Sequence, residues 1–324
     1  MASIKGCALV MTAEAMASNR AGWLMNRNMG IGGSDAGAIV GLNPYKGAYQ
    51  VWLEKTNQVA PQDVSEKEAV YWGNVLEPVV ATEFTARTGK KVTRHGMLRS
   101  KEYPFLLANV DRLVMGEDAG LEIKTAGGFK DKEWEGDKLP DSYYVQCQHY
   151  MMVTGLKRWY IAALIGGPYF HLVWKCIERN EDDIMALFDA EKEFWARVQD
   201  MTPPDIDGSE ACASALAERF QGGEKEAVRL PQDLAALVTN IRQLEDVKKS
   251  ADLSIRAAEN KIKAFMGDHE EALFQDSGTE IGRITWKPQP GRTSIDAKRL
   301  KAERPEIYEA YKKQGKPFRV FRFC

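Results

Sequence analysis

The chain has 324 residues, 44% hydrophobic and 28% charged, with a net charge of −2; this leaves room for one large or two medium domains with a proper core, and is ordinary for a soluble globular protein. The five cysteines form no Cys-x-x-Cys and the four histidines no His-Glu-x-x-His, which argues against a disulfide scaffold and a thiolate zinc site. No run approaches the ~18 apolar residues of a membrane span, and the first residues are too weakly apolar for a signal peptide, so the expectation is a cytoplasmic protein that contacts no membrane.

After a polar start, Arg27-Asn-Met-Gly-Ile-Gly-Gly-Ser34-Asp35 reads as a glycine loop entering a helix over Ala36–Val40, with Ser34 or Asp35 as N-cap. Glycines let a phosphate approach the backbone, a helix N-terminus offers free N–H groups, and Arg27 adds a fork of donors. A plain capped turn has the same sequence, and the Gly-Lys-Ser/Thr ending of a nucleotide loop is missing. A turn at Asn43-Pro44-Tyr45 precedes a short amphipathic helix over Tyr49–Lys55. A longer helix over Glu66–Arg87 carries Val70, Gly73, Glu77, Val80, Ala81 and Phe84 at three- and four-residue steps. Glu77 then lies on the core side, where a carboxylate needs a cation or hydrogen bonds, unless a kink at Pro78 turns it to water.

Lys91–Leu98 reads as a strand. Phe105–Asp111 and Leu121–Thr125 follow as two more, joined by the glycine-bounded turn Gly116–Gly120. Alternation puts Glu122 and Lys124 on one face and Leu121, Ile123 and Thr125 on the other. An Asp on one strand and Glu-x-Lys on the next is what metal-dependent phosphodiester cleavage needs. Two carboxylates hold Mg²⁺, and an ammonium steadies the attacking water or the charge on phosphorus. A surface hairpin with a solvated Glu/Lys pair reads the same way, and a one-residue slip would put Asp111 on the wrong face.

A polar loop holding Lys130 and Lys132 comes next, then a helix over Ser142–Thr154 with Gln148 on one face, either as a ligand-facing amide or as a bonded core group. A hairpin over Lys157–Ile165 and Tyr169–Ile177, turning at Gly166-Gly-Pro168, leads to an acidic helix over Glu181–Asp200. Met201–Gly208 is the clearest break in composition. The expected organisation is an N-terminal segment (1–22), a core (23–200), a linker (201–224) and an extension (225–324). In the extension Leu237, Ile241, Leu244, Ala251, Ile255, Ala258, Ile262 and Phe265 fit alternating steps of four and three, a helical hairpin or coiled-coil-like segment. A hairpin over Ala272–Lys287 turning at Gly278, a helix near Asp296–Lys313 and a last strand Phe318–Phe323 complete it. From Lys287 to Cys324 there are 11 Lys/Arg against 4 Asp/Glu; this basic tail suits phosphates, a solvated face or an acidic neighbouring subunit.

Helix, three strands, helix and two strands from Glu66 to Ile177 make a mixed α/β unit. Glu77, Asp111, Glu122, Lys124 and Gln148, odd singly, would meet at one end of its sheet. Ile31-Gly-Gly-Ser-Asp35, Trp72-Gly-Asn-Val-Leu-Glu-Pro78, Asn109-Val-Asp111, Leu121-Glu-Ile-Lys-Thr125 and Gln146-Cys-Gln-His-Tyr150, taken as an ordered set over roughly residues 20–200, closely resemble the YqaJ-type viral recombinase family, to which phage lambda exonuclease is similar. The resemblance implies a PD-(D/E)xK restriction-endonuclease-like core, a mixed central sheet flanked by helices. It implies a Mg²⁺-dependent exonuclease (one or two ions, Mn²⁺ a substitute) that degrades one strand of double-stranded DNA from its 5′ end, releasing mononucleotides and leaving 3′ tails for recombination. It also implies a homotrimeric ring and a single-strand annealing protein of the Beta/RecT type as partner.

Residue by residue, the resemblance implies Asp111, Glu122 and the Ile123 carbonyl as metal ligands, and Lys124 as the catalytic lysine. Glu77 is the helix carboxylate that holds or orients a water or second metal, and Gln148 a polar group of the active site. Arg27, Ser34, Gly33, Lys130 and, as well, Gln148 fall to the terminal-phosphate pocket and DNA contacts. Val110 stands where the fold's name expects proline, and Lys130 where the lambda enzyme has an arginine, so a point charge replaces a fork. Two other readings use the same residues: a sequence-specific endonuclease of the same fold, and a non-catalytic DNA-end-binding scaffold.

Overall fold

A strand as apolar as Arg158-Trp-Tyr-Ile-Ala-Ala-Leu-Ile165 has to be covered on both faces. In the computed structural model, which describes residues 4–60, 67–167, 169–224, 226–315 and 318–323, the chain forms two compact units, Met1–Gln221 with Arg319–Cys324, and Gly222–Phe318. The first unit begins with β1 (Cys7–Met11), α1 (Ala13–Ser18), α2 (Arg20–Asn28), α3 (Gly33–Ile39), α4 (Ala48–Lys55) and α5 (Glu68–Thr88). Then come β2 (Val92–Arg94), β3 (Met97–Ser100), β4 (Leu107–Asn109), β5 (Arg112–Val114) and β6 (Ala119–Ala126). A 3-10 turn over Gly128–Glu133 leads to α6 (Asp141–Thr154), β7 (Arg158–Ile165), β8 (His171–Glu178), α7 (Glu181–Gln199) and α8 (Glu210–Arg219).

The central sheet has the order β2-β5-β6-β7-β8, with β6 and β7 parallel and the other pairs antiparallel. Trp159, Ile161, Ala163 and Ile165 pack with Cys147, Tyr150 and Met151 of α6. Tyr160 and Ala162, on the opposite face by the two-residue period, join Leu121 and Ile123 against Val80, Ala81 and Phe84 of α5. Both helices end on a left-handed glycine, Gly89 (φ +73°) and Gly155 (φ +71°), a conformation that costs a residue without Cβ little. The class is therefore the mixed α/β one that the element order implies. A second sheet of order β1-β3-β4 and an apolar cluster drawn from α3, α4, α7 and α8 complete the unit.

The stretch before the hairpin divides differently from the expectation. Lys91–Leu98 is not one strand: β2 and β3 lie in different sheets, and β4 pairs with β3, while the hairpin partner of β6 is the separate β5. The chain changes sheets at Gly96, where a Cβ would meet the Met11 carbonyl oxygen at 2.0 Å; only glycine lets the backbones come that close. The turn is shorter than expected, since Ala119 and Gly120 already belong to β6. Glu66 and Pro168, within expected elements, lie outside the described residues.

The second unit holds α9 (Gln232–Met266), one rod of 35 residues rather than a helical hairpin. No glycine or proline interrupts it, and a four-three apolar repeat by itself calls for no turn. β9 (Glu271–Asp276) and β10 (Thr279–Thr285) form an antiparallel hairpin turning at Gly278 (φ +83°). α10 (Ala297–Glu303) and α11 (Pro305–Tyr311) replace the single helix expected there, because Pro305 offers no N–H and holds Arg304 away from helical angles. Phe318–Phe323 forms no strand. Among the described residues no helix is long and apolar enough to cross a membrane.

Candidate active site

Arg112 pairs with Leu121 and Leu113 with Gly120, so one step further along the register Asp111 stands opposite Glu122. The pairing of β5 with β6 stops at Leu121, and Asp111 takes over: its Oδ2 accepts from the Ile123 N–H at 2.9 Å. A residue's N–H and C=O leave an extended strand on the same edge, so the Ile123 carbonyl faces the Asp111 side as well.

Glu122 is 4% exposed. Its Oε1 accepts from Lys124 Nζ at 2.6 Å and from Gln146 Nε2 at 2.8 Å, while its buried Oε2 has no hydrogen-bond partner. Lys124 Nζ also donates to Gln146 Oε1 at 3.0 Å and lies 4.7 Å from the centre of the Tyr143 ring. Burial by itself would lower the lysine's pKa; the Glu122 carboxylate beside it reverses this and lifts it to about 12. Lys124 is thus a fixed cation and no proton acceptor. Burial, then the negative charges of Glu122 and Glu77, push Asp111 well above the usual carboxylate range.

Mutually repelling carboxylates, a buried carboxylate oxygen left unpaired and a carbonyl facing the same gap form an oxygen-rich place that fits a hard divalent cation. Among the described residues no three His, Cys, Asp or Glu side chains are already gathered as a cage. The fit therefore relies on the backbone oxygen and on water, as is usual for Mg²⁺. Glu77 reaches the same end of the sheet from α5. It is held by Arg112 Nη1 at 2.5 Å, so a buried cation satisfies this carboxylate, and α5 runs on through Pro78.

Gln148 does not join the group. Its Nε2 donates to the Glu178 carbonyl at 2.9 Å and its Oε1 accepts from the Asn180 N–H at 3.1 Å, which pins the turn between β8 and α7. Helical positions advance ~100° each, so residues two apart point in nearly opposite directions. The amide at the carboxylates is Gln146, which also donates to the Tyr150 hydroxyl at 2.8 Å. The four-residue step from Gln146 to Tyr150 makes the two neighbours on one helix face, but nothing in the sequence marks that face as the one that meets the carboxylates.

Upstream, Gly32, not Ser34 or Asp35, caps α3. Asp35 turns back instead, its Oδ2 accepting from the Gly32 N–H at 3.3 Å. Three cations surround this buried carboxylate: Lys55 at 2.8 Å, Lys46 at 3.3 Å and Arg27 at 3.6 Å. Burial would raise its pKa, but those cations hold it well below the usual range. Arg27 Nη2 also donates to Ser34 Oγ at 2.6 Å, so the two side chains expected at an end phosphate are together. Arg27, Lys46, Lys55, Lys67 and Tyr45, together with the carboxylates of Glu54, Glu210 and Glu218, line a cleft of about 480 Å³, and the Lys130 ammonium stands 5.3 Å from the centre of the Tyr45 ring.

Gly33 serves packing, since a Cβ there would lie 2.6 Å from Tyr150 Cε1; its absence lets α3 press against α6. Lys46 and Lys55 carry no motif. The one signal for Lys55 is a lysine on the apolar side of a short helix, where it is 7% exposed and needs an anion.

The sequence model of the YqaJ-like viral recombinase domain matches residues 22–157. The chain is 42% identical over 313 residues to the uncharacterized protein YqaJ of Bacillus subtilis (strain 168), covering 93% of this chain and 95% of that one. Among solved structures it is similar to an alkaline exonuclease from Laribacter hongkongensis, at 16% identity over 56% of this chain and 93% of that chain, with a TM-score of 0.46. It is also similar to a phage related exonuclease from Haemophilus somnus 129PT, at 13% identity over 55% and 99%, with a TM-score of 0.40.

Proposed function

Since the chain belongs to the YqaJ-like viral recombinase family, we propose that it is a metal-dependent exodeoxyribonuclease that degrades one strand of linear duplex DNA from the 5′ end. One observation carries this reading: the register that sets Asp111 opposite Glu122, with Asp111 tied to the Ile123 N–H and Lys124 held at Glu122. Asp111, Glu122 and the Ile123 carbonyl would hold Mg²⁺ or Mn²⁺, which when bound supplies charge neutralisation at the phosphate and acidifies the attacking water.

The chain's own groups do the rest. Lys124, charged up to about pH 12, aligns the nucleophile and faces the charge that builds on phosphorus. Gln146 holds Lys124 and Glu122 in one geometry. Glu77, steadied by Arg112, orients water on the far side of Asp111. Arg27, Ser34 and Lys46, with Lys130 as an added point charge, keep the terminal phosphate in register for the next cut. Repeated cuts release mononucleotides and leave 3′ tails for strand annealing. The homotrimeric ring and the annealing-protein partner rest on the family resemblance, which spans roughly residues 20–200 of a compact unit that also takes in β1 and α8.

The test is digestion of linear duplex DNA bearing a 5′-phosphate or a 5′-hydroxyl, with Mg²⁺ or with EDTA. Absence of Mg²⁺-dependent mononucleotide release would overturn the enzyme, and cutting of closed-circular DNA would favour an endonuclease. Lys124→Ala is expected to keep DNA binding and lose at least ~10²-fold in rate, the lower range for such groups. Light scattering reads the ring directly, and a strict monomer contradicts it.

A further inference from the structure

His149 of α6 and Glu191 of α7 have no exposure at all, and the chemistry above uses neither. His149 Nδ1 meets Glu191 Oε1 at 2.8 Å, and its Nε2 meets the Leu107 carbonyl of β4 at 2.8 Å. A carbonyl only accepts, so Nε2 carries a proton, and a second proton lies between Nδ1 and the carboxylate. Burial alone would lower the His149 pKa, but the Glu191 carboxylate beside it raises it. Burial raises Glu191 itself, so the pair keeps the shared proton at neutral pH.

Such a pair is a poor way to stabilise a core. Taking ionisable groups out of water costs more than their attraction returns unless every lone pair is met, and among the described residues Glu191 Oε2 has no hydrogen-bond partner. Apolar side chains of similar volume would fill the space at no greater cost. What the imidazole adds is direction. Its two nitrogens, on one rigid ring, hold α7 and β4 at fixed angles to the helix that carries it.

Those contacts lead to both halves of the site. The Leu107 carbonyl takes His149, the Leu107 N–H donates to the Ile31 carbonyl at 2.8 Å, and the Ile31 N–H donates to the Phe105 carbonyl at 2.7 Å. Ile31 directly precedes Gly32, the cap of α3, so Ser34 and the Arg27 bonded to it are moored to β4 through Ile31. On α6, Gln146 stands three residues before His149, its neighbour on one helix face, and Gln146 holds Glu122 and Lys124. One ring thus joins the helix at the cleaving groups to the strand that moors the end-phosphate residues. We propose that His149 is a positioning residue that keeps Arg27 and Ser34 in register with Glu122 and Lys124, with Glu191 fixing its ring. The proposal rests on the nuclease reading above and adds to it what sets the span between end phosphate and cut.

The experiment compares digestion rates on linear duplex DNA with 5′-phosphate and 5′-hydroxyl ends in Mg²⁺, alongside melting curves. The His149→Leu/Glu191→Leu double variant removes both partners together and should stay folded, since such replacements are often neutral. Its rate on 5′-phosphate ends should fall ~10-fold or more, the scale of a small misplacement, and fall less on 5′-hydroxyl ends, which make no use of Arg27 and Ser34, so the preference between ends collapses. Two single variants decide the matter whether or not that one folds. His149→Gln places an amide near the Nε2 position, within reach of the Leu107 carbonyl, and should keep most of the preference. His149→Asn reaches only toward Glu191 and should lose it. A core-filling role would let every folded variant keep the wild-type ratio. The proposal is overturned by that ratio in the double or the Asn variant, by equal loss on both ends, or by a Gln variant no better than the Asn one. Wild-type protein that releases no mononucleotides overturns the nuclease reading and this one with it, whereas wild-type digestion with unmoved variants overturns this one alone.

Discussion

Asp111→Asn separates charge from shape at the centre of the site. Asparagine keeps an oxygen for the Ile123 N–H and removes only the charge that burial, then Glu122 and Glu77, oppose. Unit charges ~5 Å apart interact by about 3 kcal/mol at an effective dielectric of ~20. Lys124 favours the ionised form and offsets part of this, leaving a net gain of about 1–2 kcal/mol for the metal-free variant. That corresponds to a melting temperature higher by about 3–6 °C for a unit of this size.

The sign with pH follows from the raised pKa in the folded state. The penalty of wild-type Asp111 is absent below the unfolded value of ~3.9, grows as pH rises from there, and levels off above the folded-state value. The variant's advantage is therefore largest at neutral to alkaline pH and fades toward acid. Scanning calorimetry in EDTA at about pH 8 and about pH 5 reads both, and adding Mg²⁺ should raise the wild-type midpoint by mass action far more than the variant's. A variant that melts at or below wild type in EDTA at the higher pH would refute the account of Asp111 as a carboxylate held for a cation.

The two glutamines of α6 separate by turnover: Gln146→Leu is expected to lower it ~10-fold or more, since it loosens Glu122 and Lys124, on top of the melting cost of its lost buried hydrogen bonds. Gln148→Leu strands the Glu178 carbonyl and the Asn180 N–H, costing about 1–3 kcal/mol in a melt while turnover per folded molecule is kept. Gly33→Ala forces a Cβ to 2.6 Å from the Tyr150 ring and should destabilise by about 1–3 kcal/mol, the usual price of overpacking. Arg27→Ala and, to a smaller degree, Lys46→Ala should erase the preference for 5′-phosphorylated over 5′-hydroxyl ends in digestion assays, and added salt should mimic them in part.

Which face each residue of β6 presents was legible because a two-residue period leaves no freedom. Leu121 and Ile123 pack under α5, and Glu122 and Lys124 meet Gln146 of α6. The glutamine that matters was not legible, because α6 is buried almost all round from Gln146 to Thr154, and a helix without a polar face gives no direction. The cations around Asp35 were hidden for another reason. They come from α2, from α4 and from the turn before α4, and no single stretch of sequence holds them.

The strand expected to run through Asp111 is the most instructive departure. β4 ends at Asn109 in one sheet and β5 begins at Arg112 in another, so Asp111 belongs to the two-residue seam between them. A residue within a strand sends its side chain perpendicular to the sheet. At the seam the Asp111 carboxylate instead lies along the edge of β6 and takes the N–H that β5 no longer pairs. Period-based reading continues a strand for as long as alternation lasts and has no term for a change of sheet, so it fails at the residue that the chemistry needs outside the ladder. Asn109 closes β4 just before this seam, and His95, at the earlier change of sheets by Gly96, reaches the Asp111 carbonyl with its N–H. A site built there can recruit side chains from both sheets, which a site on one continuous strand could not.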